Sequence, residues 1–384
     1  MRKTWDKSGK NTMTHTLTIQ RYANNGYGIG FIDGKTVFVP YSAVGDTVAV
    51  TITRQAKNYC FASITDIITP SPNRITPQCP AFTHCGGCDF LHIPYKEELT
   101  VKKELFMNTL THIGGLSHHI LPAIELISGE RFHYRSHATL QSDGTHIGFY
   151  KKDSHSVEPI PAKGCLLLHE KLNTFILSQS CDSHANEPIK IAIDAQSSIC
   201  SDPTAVITEQ ECGITYERSV STFFQANRFL RSKMLLVVDE LSQSFASILD
   251  VGCGVGFFSI YLAKRMKGTG IDTNIQSIEW ARYNAKRNNV TVDFHTVSIE
   301  NYHPFKHTHE CIIIDPPRQG ISKRGRKTIV AMNPSCIIYV SCNPVTFARD
   351  IKSFVDSNYR LQKLYMIDMF PCTHHTEVIG LLTK

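Results

Sequence analysis

Ile248-Leu249-Asp250-Val251-Gly252-Cys253-Gly254-Val255-Gly256 decides the fold, because a buried-strand run empties into a turn with glycine at every second position. Such a turn lets backbone approach a ligand closely at a strand end. Gly268-Thr269-Gly270-Ile271-Asp272 reads as a second strand, ending in an acid placed to accept hydrogen bonds from ribose hydroxyls. The spacing then predicts a helix from Asn274 to Asn288, with Ile275, Ile278 and Ala285 inward. Cys311-Ile312-Ile313-Ile314-Asp315 is a third buried strand, stopped by Pro316-Pro317. Cys336 to Val340 is a further one and runs into Ser341-Cys342-Asn343-Pro344. Helical character resumes from Val345 to Asp356, with Pro344 suited to a first helical position, and Val378 to Leu382 is another apolar strand. Strands alternating with helices predict an α/β fold with a mostly parallel, doubly wound sheet.

Two groups at the ends of these elements carry chemistry. The Cys342 sulfur falls beside a helix N-terminus, where a thiol is expected to ionise more easily. The loop Pro371-Cys372-Thr373-His374-His375-Thr376-Glu377 brings a carboxylate, so a nucleophile and a base are both present. Dinucleotides and S-adenosylmethionine both use the glycine-turn layout. The glycines here lack the G-x-G-x-x-G continuation for a pyrophosphate, and D-x-G-x-G is the pattern familiar from S-adenosylmethionine-dependent methyltransferases. A plain structural turn is the alternative reading. Asp315-Pro316-Pro317-Arg318 invites comparison with the Asp-Pro-Pro-Tyr loop of amino-group methyltransferases, but arginine replaces the aromatic residue. That argues against direct attack by an exocyclic amine.

The bulk composition sets limits. At 384 residues, 42% hydrophobic and 19% charged, two or three folded domains are expected, and general disorder is not. No apolar run approaches the roughly eighteen residues a membrane span needs, and residues 1–16 lack a signal-peptide core. A cytoplasmic protein is expected, with no membrane partner and no evident obligate protein partner. In that reducing compartment the thirteen cysteines point to packing, metal or catalysis more than to disulfides. A net charge of +6 permits a polyanionic partner without demanding one. Arg318, Lys323, Arg324, Arg326 and Lys327 are either a solvated loop and helix start or a face for RNA.

Upstream, residues 13–70 form short alternating runs punctuated by Gly26, Gly28, Gly30, Gly34 and Gly45, the pattern of a small β-barrel, while residues 1–12 read as a flexible tail. Gly26-Tyr27-Gly28-Ile29-Gly30, Val37-Phe38-Val39-Pro40 and Gly45-Asp46 resemble the TRAM domain, an OB-like barrel that binds RNA. A central domain, 71–218, follows. It opens on Cys79, Cys85 and Cys88, a C-x5-C-x2-C run whose spacing leaves zinc and iron–sulfur open. A helix is expected from Tyr95 to His112, with Leu99, Phe106, Leu110 and Ile113 near one face, stopped by Gly114-Gly115. The rest is strand-rich and carries Cys165, Cys181, Cys200 and Cys212. Residues 219–384 make the catalytic domain.

Thr222-Phe223-Phe224-Gln225-Ala226-Asn227, Asp250 to Gly256, Asp315 to Gly320, Val340 to Asp350 and Pro371 to Glu377 resemble, in order, the motifs of the RNA uracil-5-methyltransferase family. The resemblance covers nearly the whole chain. It implies a Rossmann-like methyltransferase domain behind a TRAM barrel and a central iron–sulfur domain, as in the branch that methylates 23S ribosomal RNA. It implies Cys342 as nucleophile, Glu377 as general base, and Gln225, Asp250, Gly252, Gly254, Phe257, Asp272, Ser298 and Asp315 at cofactor-contacting positions. It maps Cys79, Cys85, Cys88 and Cys165 onto the ligands of a 4Fe-4S cluster, with S-adenosylmethionine as methyl donor. Three positions depart from the family pattern: Phe257 stands where asparagine is common, Ser298 where another polar contact falls, and Thr376 where valine or leucine is usual. Single histidines, His84, His92, His374 and His375 among them, read as packing or hydrogen-bonding residues. Other readings are the same reaction on transfer RNA, a catalytically silent RNA-binding assembly factor, and an iron–sulfur electron carrier. Intact Cys342 and Glu377 speak against the silent factor, and a carrier would leave the cofactor pocket without purpose.

Overall fold

Every strand foreseen after residue 247 belongs to one eight-stranded sheet in the computed structural model, which describes residues 3–5, 11–117, 121–179, 187–303 and 309–384. Its spatial order is Val292–Thr296, Lys267–Asp272, Ser247–Val251, Cys311–Ile314, Cys336–Ser341, Glu377–Thr383, Arg360–Ile367 and Ile124–Ile127. The first five pair in parallel, and Glu377–Thr383 runs antiparallel to both of its neighbours. Strand order reverses beside Ser247–Val251, so the ends of that strand and of Cys311–Ile314 flank the crevice where open α/β sheets bind ligands.

The continuous apolar strands follow from burial on both faces. Ile248, Ile313 and Ile338 pack with Met234, Val238, Phe258 and Ile278 on one side. Leu249, Ile312 and Ile337 pack with Phe106, Leu110, Ile329, Phe347 and Ile351 on the other. Successive strand residues thus serve opposite layers, each covered by helices. The helix Ile275–Arg287 buries Ile278, Ala281 and Ala285, and Asn274 caps it by accepting from the Ser277 amide at 3.0 Å. Ile275, expected inward, is 60% exposed, because this cap makes it the first helical residue, on the outer side of the opening turn.

The chain divides into two compact units: Met1–Leu105 with His146–Pro161 and Pro371–His374, and Phe106–Thr145 with Ala162–Phe370 and His375–Lys384. In the first, seven strands run in the order Lys3–Trp5, Asn11–Thr18, Thr47–Gln55, Tyr59–Thr69, Lys35–Val39, Gly28–Ile32 and Arg21–Tyr22. All pairings are antiparallel except Lys35–Val39 with Tyr59–Thr69. Leu17, Val37, Val39, Val48 and Val50 are the inward-pointing residues of the alternation and form its core. Lys3–Trp5, read as part of a tail, pairs with Asn11–Thr18 instead.

The helix Tyr95–His112 has the foreseen bounds, but Leu99 is half-buried and Ile113 is 44% exposed. The first unit takes Val101 into a cluster with Phe90, Ile93 and Ala43 and buries the Glu98–Lys102 ion pair at 2.9 Å. Phe106 and Leu110 belong to the second unit's core. That unit also holds the hairpin Val206–Glu211 and Ile214–Ser219, and the strand His137–Ser142 paired with Ile189–Ile193. Ile124–Ile127, from the stretch read as a separate central domain, is an edge strand of the large sheet, parallel to Arg360–Ile367. Cys181 lies outside the described residues.

Candidate active site

The glycine turn closes against the start of the Asp-Pro-Pro loop. Gly252 has φ +80°, and a Cβ there would run into the Asp315 carbonyl oxygen. Only glycine fits at this position. The Gly252 and Cys253 amides both donate to the Ile271 carbonyl, and the Asp315 amide donates to Val251, so the backbone holds the strand ends together.

Three acids line this crevice. Asp272 accepts from the Gly254 amide at 3.0 Å and the Asn274 amide at 2.8 Å, which fixes its carboxylate at the turn. Asp250 is fully buried; one oxygen accepts from the Ser259 amide at 3.1 Å and the other has no hydrogen-bond partner. Burial, with Asp272 adding like charge, pushes Asp250 up to about 7. Burial, then Asp250 and Asp272, likewise push half-buried Asp315 up to about 7. Gathered carboxyls with a stranded oxygen suit a cationic ligand, and S-adenosylmethionine carries a sulfonium, so these residues fit that group.

Cys342 follows the fully buried strand Cys336–Ser341 and precedes the helix Pro344–Val355. Asn343 caps that helix by accepting from the Val345 amide at 3.1 Å, while its Nδ2 donates to the Arg318 carbonyl at 2.9 Å. Thr346 Oγ1 donates to the same carbonyl at 3.1 Å. The expected easy ionisation is corrected: burial, Glu377 and Asp315 push the Cys342 thiol up to about 11, with Arg318 opposing. Desolvation and two nearby carboxyls outweigh one helix terminus. Glu377 opens the strand Glu377–Thr383 and is 3% exposed; burial and then Asp315 raise it well above the usual carboxylate range, again against Arg318. Cys342 and Glu377 therefore both feel the charges of Asp315 and Arg318. Arg318 also meets His375 Nε2 at 3.1 Å.

Two of the remaining predicted positions are half-accessible or buried polar groups, and one is a packing ring. Gln225 is buried, and Ser298, half-buried, precedes the short helical turn Ile299–Asn301. Phe257 packs into a cluster with Tyr216, Phe224 and Phe258, and its carbonyl accepts from the Tyr216 hydroxyl at 2.8 Å. Its side chain serves the core, which accounts for an apolar residue at that position.

Sequence reasoning passed over Asp350. Its fully buried carboxylate accepts from Arg326 at 2.7 Å, Arg349 Nε at 2.8 Å, the Tyr339 hydroxyl at 2.7 Å and the Ile321 amide at 2.9 Å. Arg349 also reaches the Gln319 carbonyl at 2.9 Å. Asp350 thereby fastens the loop carrying Arg318 to the helix that follows Cys342. Arg326 of the basic cluster is committed to this bond, whereas Arg318, Lys323, Arg324 and Lys327 stay exposed.

Cys79, Cys85, Cys88 and Cys165 are half-buried. The first three lie in the first unit and Cys165 in the second, where Asn173 brackets its backbone amide and carbonyl at 2.8 and 2.9 Å. Among the described residues no three His, Cys, Asp or Glu side chains are grouped to hold a metal ion. No described helix is long and apolar enough to cross a membrane.

Residues 204–384 match the family model of tRNA (uracil-5-)-methyltransferase, and residues 16–73 match the TRAM domain of tRNA (uracil(54)-C(5))-methyltransferase. An uncharacterized RNA methyltransferase of Aquifex aeolicus is 30% identical over 95% of this chain and 97% of its own length. Another, from Leptospira interrogans, is 28% identical over 96% of this chain and 94% of its own. The crystal structure of Pyrococcus abyssi tRNA (uracil-54, C5)-methyltransferase with S-adenosyl-L-homocysteine has a TM-score of 0.75, at 26% identity and covering 96% and 99% of the two chains. Taken with the acidic glycine-turn crevice and the adjoining cysteine and glutamate, this places the chain in the RNA uracil-5-methyltransferase family, as an S-adenosylmethionine-dependent enzyme with an N-terminal TRAM domain.

Proposed function

We propose that the enzyme methylates carbon 5 of one uridine in ribosomal RNA, 23S being the named target, through a covalent bond between Cys342 and carbon 6. The pairing of Ser341 with Val378, which sets Cys342 and Glu377 at adjoining strand ends, is the observation that carries the chemistry. Carbon 5 of uracil is a weak nucleophile. Addition of the Cys342 thiolate to carbon 6 breaks the 5,6 double bond and moves its electron pair toward carbon 5 and the 4-oxygen. S-adenosylmethionine, when bound, would supply an electrophilic methyl group on a sulfonium, the methyl passing to carbon 5 while the methyl–sulfur bonding pair stays on sulfur. Glu377 then takes the carbon 5 proton, the double bond re-forms and the Cys342 thiolate leaves. A positive charge among Asp250, Asp272 and Asp315 favours the ionised forms of the neighbouring acids, so thiol ionisation belongs to the loaded site. Gln225, the glycine turn, Asp272 and Asp315 hold the donor.

Incubation with S-adenosylmethionine and 5-fluorouridine-substituted RNA tests the nucleophile, because fluorine at carbon 5 cannot leave as a proton. A lasting protein–RNA adduct is expected with the wild type and not with Cys342→Ala; an adduct surviving in the variant overturns the assignment. The ribosomal target rests on the TRAM-like segment together with the C-x5-C-x2-C run. Transfer RNA is the second reading, favoured by the similarity to an enzyme described as acting on tRNA uracil 54. Loss of 5-methyluridine from 23S RNA or from transfer RNA in a deletion strain, mapped by mass spectrometry, decides between them. A 4Fe-4S cluster on Cys79, Cys85, Cys88 and Cys165 rests on the sequence resemblance alone, and no catalytic step uses it. Iron and sulfide at about four per chain after anaerobic purification support it; zinc without iron overturns it.

A further inference from the structure

The second unit has an open groove of about 400 Å³ that the reaction chemistry leaves unused. That lies within the roughly 300–1,000 Å³ of ordinary small-molecule sites. One wall is the face of the helix Ile275–Arg287 that presents Gln276, Glu279, Trp280 and Tyr283, spaced three and four residues apart. The other wall is hydroxyl-rich, with Ser219 at the end of its hairpin and Ser221 just beyond. Trp280 and Tyr283 meet edge to face at 5.7 Å and 84°; Trp280 is half-buried against the core, and Tyr283, 46% exposed, is the more open ring. Among the described residues the Gln276 amide, the Glu279 carboxylate and the Trp280 N–H have no hydrogen-bond partner. Thr204 completes the hydroxyl-rich lining. A concave site that joins aromatic rings to a few polar groups is the ordinary form of a ligand site.

We propose that this groove holds an unstacked guanine of the RNA substrate, away from the reacting uridine. RNA methylation supplies the partner class, and single-stranded RNA is read by stacking on aromatic rings with hydrogen bonds to base edges. Tyr283 provides the stacking surface, with Trp280 beside it. The Glu279 carboxylate accepts from the paired N–H donors of guanine N1 and N2, and the Gln276 amide donates to O6. A carboxylate here repels a phosphate, so the base enters the groove and the backbone stays outside.

The chain has two tryptophans, Trp5 and Trp280, so full-length Trp5→Phe reports on Trp280 alone. Titration with GMP is expected to quench its emission saturably, more tightly than AMP, CMP or UMP, with the preference lost in Glu279→Gln. In Tyr283→Ala the KM for RNA is expected to rise about 5- to 150-fold, the span that base–aromatic stacking carries. The Kd for S-adenosylmethionine should not move in either variant, which also verifies that each is folded. Absence of saturable quenching, equal quenching by all four nucleotides, or an unchanged KM for RNA in Tyr283→Ala overturns the assignment. So does a loss confined to S-adenosylmethionine affinity.

Discussion

Replacing Asp350 with alanine releases the loop that carries Arg318, and the four donors around the carboxylate are not equally harmed. Arg349, 45% exposed, turns to water at little cost. Arg326, 13% exposed, keeps the Ile321 carbonyl. The Ile321 amide, which donates to the carboxylate at 2.9 Å, loses that acceptor. The Tyr339 hydroxyl, fully buried on its strand, is left with nothing to donate to, a penalty of about 1–3 kcal/mol. Loss of one member of a buried, hydrogen-bonded ion pair costs about 3–5 kcal/mol in comparable sites, and the partial exposure of both arginines places this case at the lower end. We expect Asp350→Ala to lose about 3 kcal/mol against the 5–15 kcal/mol that typically holds a folded domain. Asp350→Asn, which keeps the shape and one acceptor oxygen, should lose clearly less. Urea unfolding followed by Trp280 emission in the Trp5→Phe background reads the second unit, where both residues lie. At temperatures where both variants remain folded, adduct formation with 5-fluorouridine RNA should slow, because the Arg318 loop is no longer fixed to the Cys342 helix. A stability change under about 1 kcal/mol in the alanine variant, less than a single orphaned hydroxyl costs, would refute the reasoning.

Two further outcomes follow from the acidic crevice. Asp250 and Asp315 hold their protons up to about 7 when folded but to the ordinary carboxylate range when unfolded. Their contribution is therefore complete below about pH 4 and is lost as pH rises through about 7. The thermal midpoint of the ligand-free protein should fall over that window, with a shallower slope in Asp315→Asn; an identical slope in the two proteins counts against the shifted Asp315. Gly252→Ala puts a Cβ on the Asp315 carbonyl oxygen at a left-handed φ, a strain of about 1–3 kcal/mol. Calorimetric S-adenosylmethionine affinity should drop at least about tenfold, and undiminished binding would show that the turn does not need its glycine.

The strands that carry the site were legible because burial on both faces leaves uninterrupted runs such as Cys311 to Ile314 and Cys336 to Val340. Val292–Thr296 was not, since only Phe294 is fully buried, Val292 is half-buried, and exposed Asp293 and His295 alternate with them at a sheet edge. Ile124–Ile127 looked like part of another domain because its partner is far along the chain. The Cys342 thiol shows the same limit in electrostatics. Its helix terminus can be seen in neighbouring residues, but the carboxyls that raise it, Glu377 and Asp315, arrive from other strands. Asp350 reads as an ordinary exposed helical acid until Arg326 and Tyr339 are seen to enclose it.

The pairing of Ile124–Ile127 with Arg360–Ile367 has a consequence for biosynthesis. The earlier strand leaves the ribosome long before its partner exists, and at roughly 5–20 residues per second the wait runs to tens of seconds. Through that interval its backbone amides and carbonyls, with Ile124 destined for full burial, need temporary shelter. Glu377–Thr383, which flanks Arg360–Ile367, comes later still. The large sheet therefore stays open on this side until Glu377–Thr383 has been made, and a nascent chain cut short near residue 360 lacks both the strand that Ile124–Ile127 pairs with and Glu377.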